Sequence, residues 1–421
     1  MDSRARFRWN QYLSIYGVFL KPVAILGAGL TGLSCAHYLH RAGVDFLLFD
    51  SNNHVGGRVS SKRTDSGFLI DEGFQVLLTS YPETRNLVDL KSLNLKYFRS
   101  GSLIFNGKNM ELLANPLSYP QGSFKTLKYS HASLKDKVLV LKLLIKSQGS
   151  HSDLPLGKQT TMAFLKEWGF SSSFIENFWR PFLNGVYLDP ELTIGSDFFL
   201  FLVKCFGWGR VALPKRGIAA LPEQLAQQLP QDKINLGVEV KSWSHHEIVT
   251  ARGETFSASH VVCTFNPKDF TESFNPENHR SVITYYFTSP RLKSLPWQRW
   301  LILVPPHLGF NISHMALLTS VSPSYSSNGE ELLSVSIVGS KEPALETVIQ
   351  EVELIAHRPL ELELVSTTKV PRALPKIEKD FPGFQFVDGI YYGGDYLSSP
   401  SVQGALKSGR LVAQELIKLR T

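Results

Sequence analysis

Three glycines near the start of the chain are spaced to grip a phosphate. Gly27-Ala28-Gly29-Leu30-Thr31-Gly32 follows the apolar run Val23-Ala24-Ile25-Leu26. An apolar-periodic stretch then runs from Leu30 to Arg41 and stops at Gly43. A short continuous apolar run is the pattern of a buried parallel strand. In a strand–turn–helix of this kind Gly27 makes the tight turn, Gly29 lets the backbone approach a pyrophosphate, and Gly32 lets the helix pack on the strand. The free N–H groups of the first helical residues, Leu30 and Thr31, and the positive end of the helix would face the phosphates. A second apolar run, Phe46 to Phe49, ends at Asp50, 18 residues beyond Gly32. That is close to the spacing at which an acid accepts hydrogen bonds from the adenosine ribose. The segment predicts dinucleotide binding.

Further glycine segments do not belong to a simple nicotinamide site. Ser51-Asn52-Asn53-His54-Val55 leads into Gly56-Gly57-Arg58. The glycines permit close backbone approach, and Arg58 can neutralise a pyrophosphate or steady the edge of a flavin. Near the other end, Ile390-Tyr391-Tyr392 runs into Gly393-Gly394-Asp395. Ser401-Val402-Gln403-Gly404-Ala405 then opens a helix reaching about Leu419.

On these residues the chain resembles the FAD-dependent superfamily of flavin amine oxidases, protoporphyrinogen oxidases and carotenoid (phytoene) desaturases. Three more stretches agree. Asp71-Glu72-Gly73-Phe74-Gln75 resembles the segment that passes the flavin. Gly237-Val238-Glu239-Val240 resembles the strand whose Val meets the adenine through its backbone, giving Val240 that role. Leu213 to Ile218 with Leu221-Pro222 resembles the turn and helix that return the chain to the cofactor domain. The resemblance spans 21–421 and implies FAD as cofactor. It implies that Asp395 bonds the ribityl chain and that the helix opening at Val402 and Gln403 points at the N1–C2=O edge. Charge left there when a hydride arrives at N5 would be stabilised by a helix N-terminus. Glu72 and Gln75 are the polar residues expected nearest the flavin.

The elements needed to position these groups give an α/β fold: an FAD-binding Rossmann-like (βαβ) domain interleaved with an α+β substrate domain. Residues 21–100, 211–275 and 385–421 are assigned to the first, with Val261-Val262-Cys263-Thr264 as a buried closing strand. Residues 101–210 are expected to be helical and aromatic. Residues 276–384 should hold a sheet, with strands near 281–287, 299–304, 315–320 and 332–338 and a helix from about Ala344 to Ala356. In 134–145, Leu134, Val138, Leu141 and Ile145 form a stripe opposite Lys135, Lys142 and Lys146. The commoner reading packs the stripe inward; the other lays it on a membrane surface. Tyr325 to Gly329 reads as a polar loop. His37 and His40 fall with Ser34 on what reads as a solvated helix face, and His245-His246 as a turn.

Composition bounds the remaining classes. With 421 residues, 43% of them hydrophobic, the chain can bury a large core without disulfides or metal. Three distant cysteines, Cys35, Cys205 and Cys263, form no framework and fit a reducing, cytoplasmic setting. No metal-ligand spacing occurs, so no metal is expected. The net charge of +7 allows contact with acidic lipid without demanding nucleic acid, and no nucleic-acid partner is expected. Residues 1–20, with Arg4, Arg6 and Arg8, read as a disordered or leader-like tail and leave organelle targeting open. In flavoenzymes the cofactor carries the redox step, and no catalytic residue is assigned. The predicted activity is an oxidoreductase moving hydride from a small apolar substrate (carotenoid-, porphyrinogen- or amine-like) to flavin N5, with oxygen or a quinone as acceptor. The alternatives are a non-redox FAD-dependent isomerase and a non-catalytic lipid-binding protein of the Rab-escort or GDP-dissociation-inhibitor type.

Overall fold

The structure, a computed structural model, describes residues 21–115, 118–149, 159–265, 279–376 and 382–420. Two large sheets organise it. The first has six strands in the order Ile234–Leu236, Phe46–Asp50, Val23–Leu26, His260–Cys263, Ile390–Gly393 and Phe384–Val387. The first five are parallel, and Phe384–Val387 closes the edge antiparallel. Val23–Leu26 is buried along its whole length because both faces of the sheet are covered. On one face lie the helices Leu30–Arg41 and Val402–Lys418, packed through Leu33, Ala36, Leu406 and Val412. On the other, the three-stranded sheet Val240–Trp243, Glu247–Thr250 and Thr255–Ser257 covers Leu26, Phe49 and Val261.

The C-terminal helix changes the environment of the first one. Ser34 and His37, expected on a solvated face, are buried. Ser34 Oγ donates to the Leu406 carbonyl at 2.7 Å, and His37 Nε2 meets Gln228 Oε1 at 2.9 Å. Segments far apart in sequence thus cover what a single helix pattern shows as polar.

The second sheet has seven strands: Glu363–Pro375, His279–Thr288, Leu333–Val338, His314–Leu317, Leu301–Leu303, Gly101–Phe105 and Met110–Ala114. Alternation along each strand divides it. Ile283, Ile302, Met315 and Leu317 pack on the helix Leu345–Ala356, while Val282, Leu301, Leu303 and His314 turn to a large cavity. The first strand and the last pair correct the sequence reading. Gly101–Phe105 and Met110–Ala114 are strands inside a stretch expected to be helical. Glu363–Pro375 was not foreseen, because Pro371 and Pro375 break a strand pattern. It is an edge strand, where a missing N–H costs no ladder bond.

A helical layer closes the cavity from the other side: Leu134–Ser147, Thr161–Glu167, Arg180–Tyr187 and Ser196–Trp208. Residues Phe198 to Val203 are all buried, as befits a helix apolar on every side. Ahead of Arg180–Tyr187 the backbone widens into a π-helical turn, Ile175–Trp179. Pro181 has no N–H to give the Asn177 carbonyl, which accepts from Tyr129 Oη at 3.3 Å instead. A buried ion pair joins helical layer to sheet: Arg280 Nη2 lies 2.8 Å from Asp189 Oδ2 and also donates to Thr193 Oγ1. Asp189 is further satisfied by the N–H of Thr193.

The helix Leu134–Ser147 reverses the favoured expectation. Its inward face carries Asp136, Leu143 and Ser147, and Asp136 accepts from both Ser133 and Ser171. The apolar stripe lies outside, with Leu134 76% and Ile145 74% exposed. Tyr325, placed by sequence in a polar loop, is fully buried and donates to Asp71 Oδ2 at 2.7 Å.

Candidate functional site

The glycine loop behaves as its spacing predicts. Gly27 has φ +106°, and a Cβ there would lie 2.5 Å from Thr264 Oγ1. A Cβ on Gly32 would lie 1.9 Å from the Gly27 carbonyl oxygen, so helix and turn touch through hydrogen alone. A Cβ on Gly29 would meet nothing within 4 Å. Gly29 faces open cavity, the space a pyrophosphate would take. Leu30 and Thr31, at the start of the helix, line the same space.

The second glycine segment lies beside the first. Gly56 N–H donates to the Ala28 carbonyl at 2.9 Å, and Gly29 and Gly56 pair as a parallel bridge. Gly57 comes close to Gly29 Cα. Asp50 ends its strand at the loop: its Oδ2 accepts from Ala28 N–H at 2.7 Å and its Oδ1 from Asn52 N–H at 2.8 Å. The acid therefore also fixes the turn that carries the glycines. Val238 N–H donates to the Asp50 carbonyl, and Val238, Glu239 and Val240 line the cavity beside it.

The C-terminal segment meets the same place. Arg58 Nη2 lies 2.6 Å from Asp395 Oδ1, and Arg58 Nη1 donates to the Ala373 carbonyl at 2.8 Å. Gln75 Nε2 donates to the carbonyls of Arg58 and Glu72, both at 2.8 Å, so Gln75 clamps the arginine turn as well as lining the cavity. Gly394 N–H donates to Ser408 Oγ, which seats the Gly-Asp turn on the last helix. Ser401 caps that helix by accepting from Gly404 N–H at 3.1 Å. The N–H groups of Val402 and Gln403 are then first-turn donors that no intrahelical carbonyl reaches. Val402 borders the cavity. The Gln403 side chain does not: it is fully buried and accepts from Glu83 N–H at 3.0 Å. What Gln403 can offer a ligand is its backbone.

These residues line one end of a cavity of about 1490 Å³. Sites for one drug-sized ligand run to about 1,000 Å³, so there is room for a dinucleotide and a second molecule. The far end is walled by Phe174, Phe178, Trp179, Phe182, Phe199 and Phe206. Leu127 and Leu141 both line the cavity and are more than half exposed, so the cavity opens between Ser123–Leu127 and Leu134–Ser147. Phe124, Leu134 and Ile145 are exposed on the two elements that bound this mouth, and two lysines stand at it: Lys137 donates to the Leu127 carbonyl at 2.7 Å, and Lys128 lies 4.3 Å over the Phe124 ring.

The sequence profile of the flavin containing amine oxidoreductases matches residues 30–417. The chain belongs to this family. Protoporphyrinogen oxidase 2 of Arabidopsis thaliana is 22% identical over 490 residues, covering 94% of each chain. A 15-cis-phytoene desaturase of Synechococcus elongatus is 37% identical over 87 residues, 20% of this chain and 18% of the desaturase. An oxidoreductase from Methanosarcina mazei superposes with a TM-score of 0.70 at 16% identity, over 93% of this chain and 100% of that one. As a flavin amine oxidoreductase, the chain is an FAD-dependent oxidoreductase enzyme with an FAD-binding α/β fold, and the open face of Gly29 and the free donors at Val402 and Gln403 fit that cofactor.

One site residue escaped the sequence reading. His314 lines the cavity at 4% exposure, and burial alone pushes its imidazole down to about 4. It sits in a four-residue strand, His314–Leu317, where a single histidine carries no motif. Its only sequence signal is period: it shares a face with Ala316 while Met315 and Leu317 pack the other way. Asp71 was expected in the flavin segment, but it is buried away from the cavity. Burial raises its carboxyl, while donors Ser61, Tyr325 and Ile218 N–H pull it down.

Proposed function

We propose that this flavin amine oxidoreductase oxidises an apolar, carotenoid- or porphyrinogen-like small molecule that it draws from a lipid surface. The observation carrying this reading is one continuous aromatic-walled cavity, from the glycine loop to a mouth ringed by exposed apolar side chains and lysines. A water-soluble substrate has no need of such a rim. Exposed apolar patches of this kind mark interaction surfaces, and flanking lysines add attraction to anionic lipid. Among the described residues no helix is long and apolar enough to cross a membrane, so the contact would be peripheral.

In this reading Gly29, Gly57 and the N–H groups of Leu30 and Thr31 hold the pyrophosphate. Gly27 and Gly32 shape the loop, Gly56 braces it, and Asp50 takes the ribose. Val240 lies along the adenine, and Asp395 bonds the ribityl chain, with Arg58 holding its carboxylate in place. Val402 and Gln403 present backbone N–H groups to the N1–C2=O edge, and Gln75 keeps the Arg58 turn closed. FAD so held supplies a hydride acceptor at N5, reoxidised by oxygen or a quinone. Phe178, Phe182 and Phe206 exclude water and pack against the substrate.

The test uses purified, FAD-loaded protein and anionic phosphatidylserine vesicles carrying phytoene or protoporphyrinogen under nitrogen. Flavin bleaching by vesicle-borne substrate, with the protein floating on the vesicles, supports the reading. A protein that stays off vesicles and whose flavin is bleached only by water-soluble amines contradicts it. An isomerase would convert substrate with no acceptor consumed.

A further inference from the structure

Four arginines converge on Tyr97 and Thr79. Arg299 donates through Nε and Nη2 to the Tyr97 carbonyl, at 3.0 and 2.8 Å. The Arg210 guanidinium lies 3.6 Å from the centre of the Tyr97 ring. Thr79 N–H donates to the Arg210 carbonyl, and the Thr79 carbonyl accepts from Arg85 Nε at 2.9 Å. Arg99 gives its backbone N–H to the Arg299 carbonyl, and its guanidinium lies over the rings of Trp300 and Tyr119, at 5.3 and 5.7 Å. Arg85, Arg210 and Arg299 are exposed and Arg99 is half-buried. Among the described residues none of the four pairs with an acid.

Like charges gathered in this way repel, and side chains pinned to carbonyls and rings cannot spread apart to relieve it. The chain supplies no acid to offset them, so the patch suits an anion from outside. Guanidinium groups take phosphate oxygens through paired N–H donors, and fixed ones lose little freedom in doing so. Arg299 also holds φ +63°, a left-handed conformation unusual outside glycine, with its N–H on Ser320 Oγ at 2.8 Å. Strain of this kind gathers at binding sites. The surroundings point to the source of the anion. The Tyr119 carbonyl accepts from Gly122 N–H, and the helix Ser123–Leu127 at the cavity mouth follows at once. Trp208, 61% exposed, stands two residues before Arg210, and Gly207 beside it borders the cavity. Cationic heads beside the exposed rings of Phe124 and Trp208, next to the opening of an apolar cavity, fit a bilayer boundary, where phosphates lie above hydrocarbon.

We propose that Arg85, Arg99, Arg210 and Arg299 form a site for the phosphate groups of anionic phospholipid, and that this site sets the cavity mouth against the membrane. The proposal rests on the lipid-surface reading above and adds to it the charge of the partner and the side chains that recognise it. The apolar stripe gives the contact its hydrophobic part; the arginines make it selective for anionic lipid and fix which face of the protein turns to the bilayer.

The experiment floats FAD-loaded protein on phosphatidylcholine vesicles made with and without phosphatidylserine. Wild type should bind the phosphatidylserine vesicles at least about tenfold more tightly, and added salt should weaken that binding. Arg210→Gln with Arg299→Gln should bind them at least about tenfold more weakly than wild type, with unchanged FAD content and unfolding midpoint. Arg210→Lys with Arg299→Lys keeps the charge and should stay within about threefold of wild type. Arg85→Gln, an exposed helical position, repeats the measurement at one site with about a fivefold loss. Lys241→Gln with Arg252→Gln removes as much charge from exposed positions on the sheet over the FAD-binding fold, and should stay within about threefold of wild type. Arg→Gln variants that bind like wild type overturn the proposal, as does a Lys pair as weak as the Gln pair or a control pair equally weak. Wild type floating equally on both vesicles overturns the headgroup site and leaves the lipid-surface reading standing; wild type floating on neither overturns both.

Discussion

Arg58 and Asp395, 337 residues apart in the chain, meet at 2.6 Å. The same guanidinium donates to the Ala373 carbonyl, so one side chain gathers the start, the sheet edge and the tail of the protein. The arginine is 45% exposed, so the pair itself adds little stability, about 0–1 kcal/mol. Its use is to hold a carboxylate in one orientation. Asp395→Ala should lower FAD affinity at least tenfold (about 1.4 kcal/mol) while moving the apoprotein unfolding free energy by less than about 1 kcal/mol. Fluorescence titration of FAD and a urea melt check both halves. Unchanged flavin affinity would remove Asp395 from the site.

Two glycines three residues apart should respond in opposite ways. Gly29 has open space where a Cβ would go, whereas a Cβ on Gly32 strikes the Gly27 carbonyl. Gly29→Val should fold normally and lose FAD, because the added methyls occupy the phosphate's place. Gly32→Ala should cost about 1–3 kcal/mol of stability through overpacking, even without cofactor. Apoprotein melts and flavin content separate the two. Equal melts would contradict the division of labour.

The buried imidazole of His314 predicts acid sensitivity. Folding moves it from its ordinary 6.5 down to about 4. Between those values the unfolded chain binds a proton that the folded chain refuses, so stability falls as pH is lowered through the window and levels off below it. The full window is worth roughly 3 kcal/mol. His37 and His260 are also lowered, chiefly by burial, and push the same way. The comparison is therefore with His314→Gln, whose stability should fall less steeply between pH 7 and pH 5 in urea melts.

The exposed stripe should be dispensable for folding. Leu134→Glu with Ile145→Glu alters side chains about three-quarters exposed and should shift stability by less than about 0.5 kcal/mol each. Sedimentation with phosphatidylserine vesicles should drop sharply in the double variant. Undiminished binding would place the lipid contact elsewhere.

Local pattern made the cofactor end legible. Gly27 to Gly32, Asp50, Gly56 to Arg58 and Gly394-Asp395 stand beside strands and helices whose order the sequence dictates, and each needs a residue type that few others can replace. Long-range packing hid the rest. The side of Leu134–Ser147 that faces inward depends on Asp136 being satisfied by Ser171, 35 residues on, so periodicity alone chose the wrong face. Gln403 keeps its expected place in the first turn of the last helix, but sequence did not show that its side chain turns to Glu83, 320 residues away. His314 belongs to the same class: only the sheet that brings it opposite Phe74 sets it in the cavity wall.

The central claim is that both ends of the chain grip one flavin nucleotide at the inner end of an apolar cavity. A crystal structure of the FAD-loaded protein tests it most directly. The account predicts the pyrophosphate against Gly29, the ribityl chain at Asp395, and the N1–C2=O edge at the N–H groups of Val402 and Gln403. A flavin bound with its pyrophosphate away from Gly29, or with Asp395 still paired only to Arg58 and distant from the ribityl chain, would contradict it.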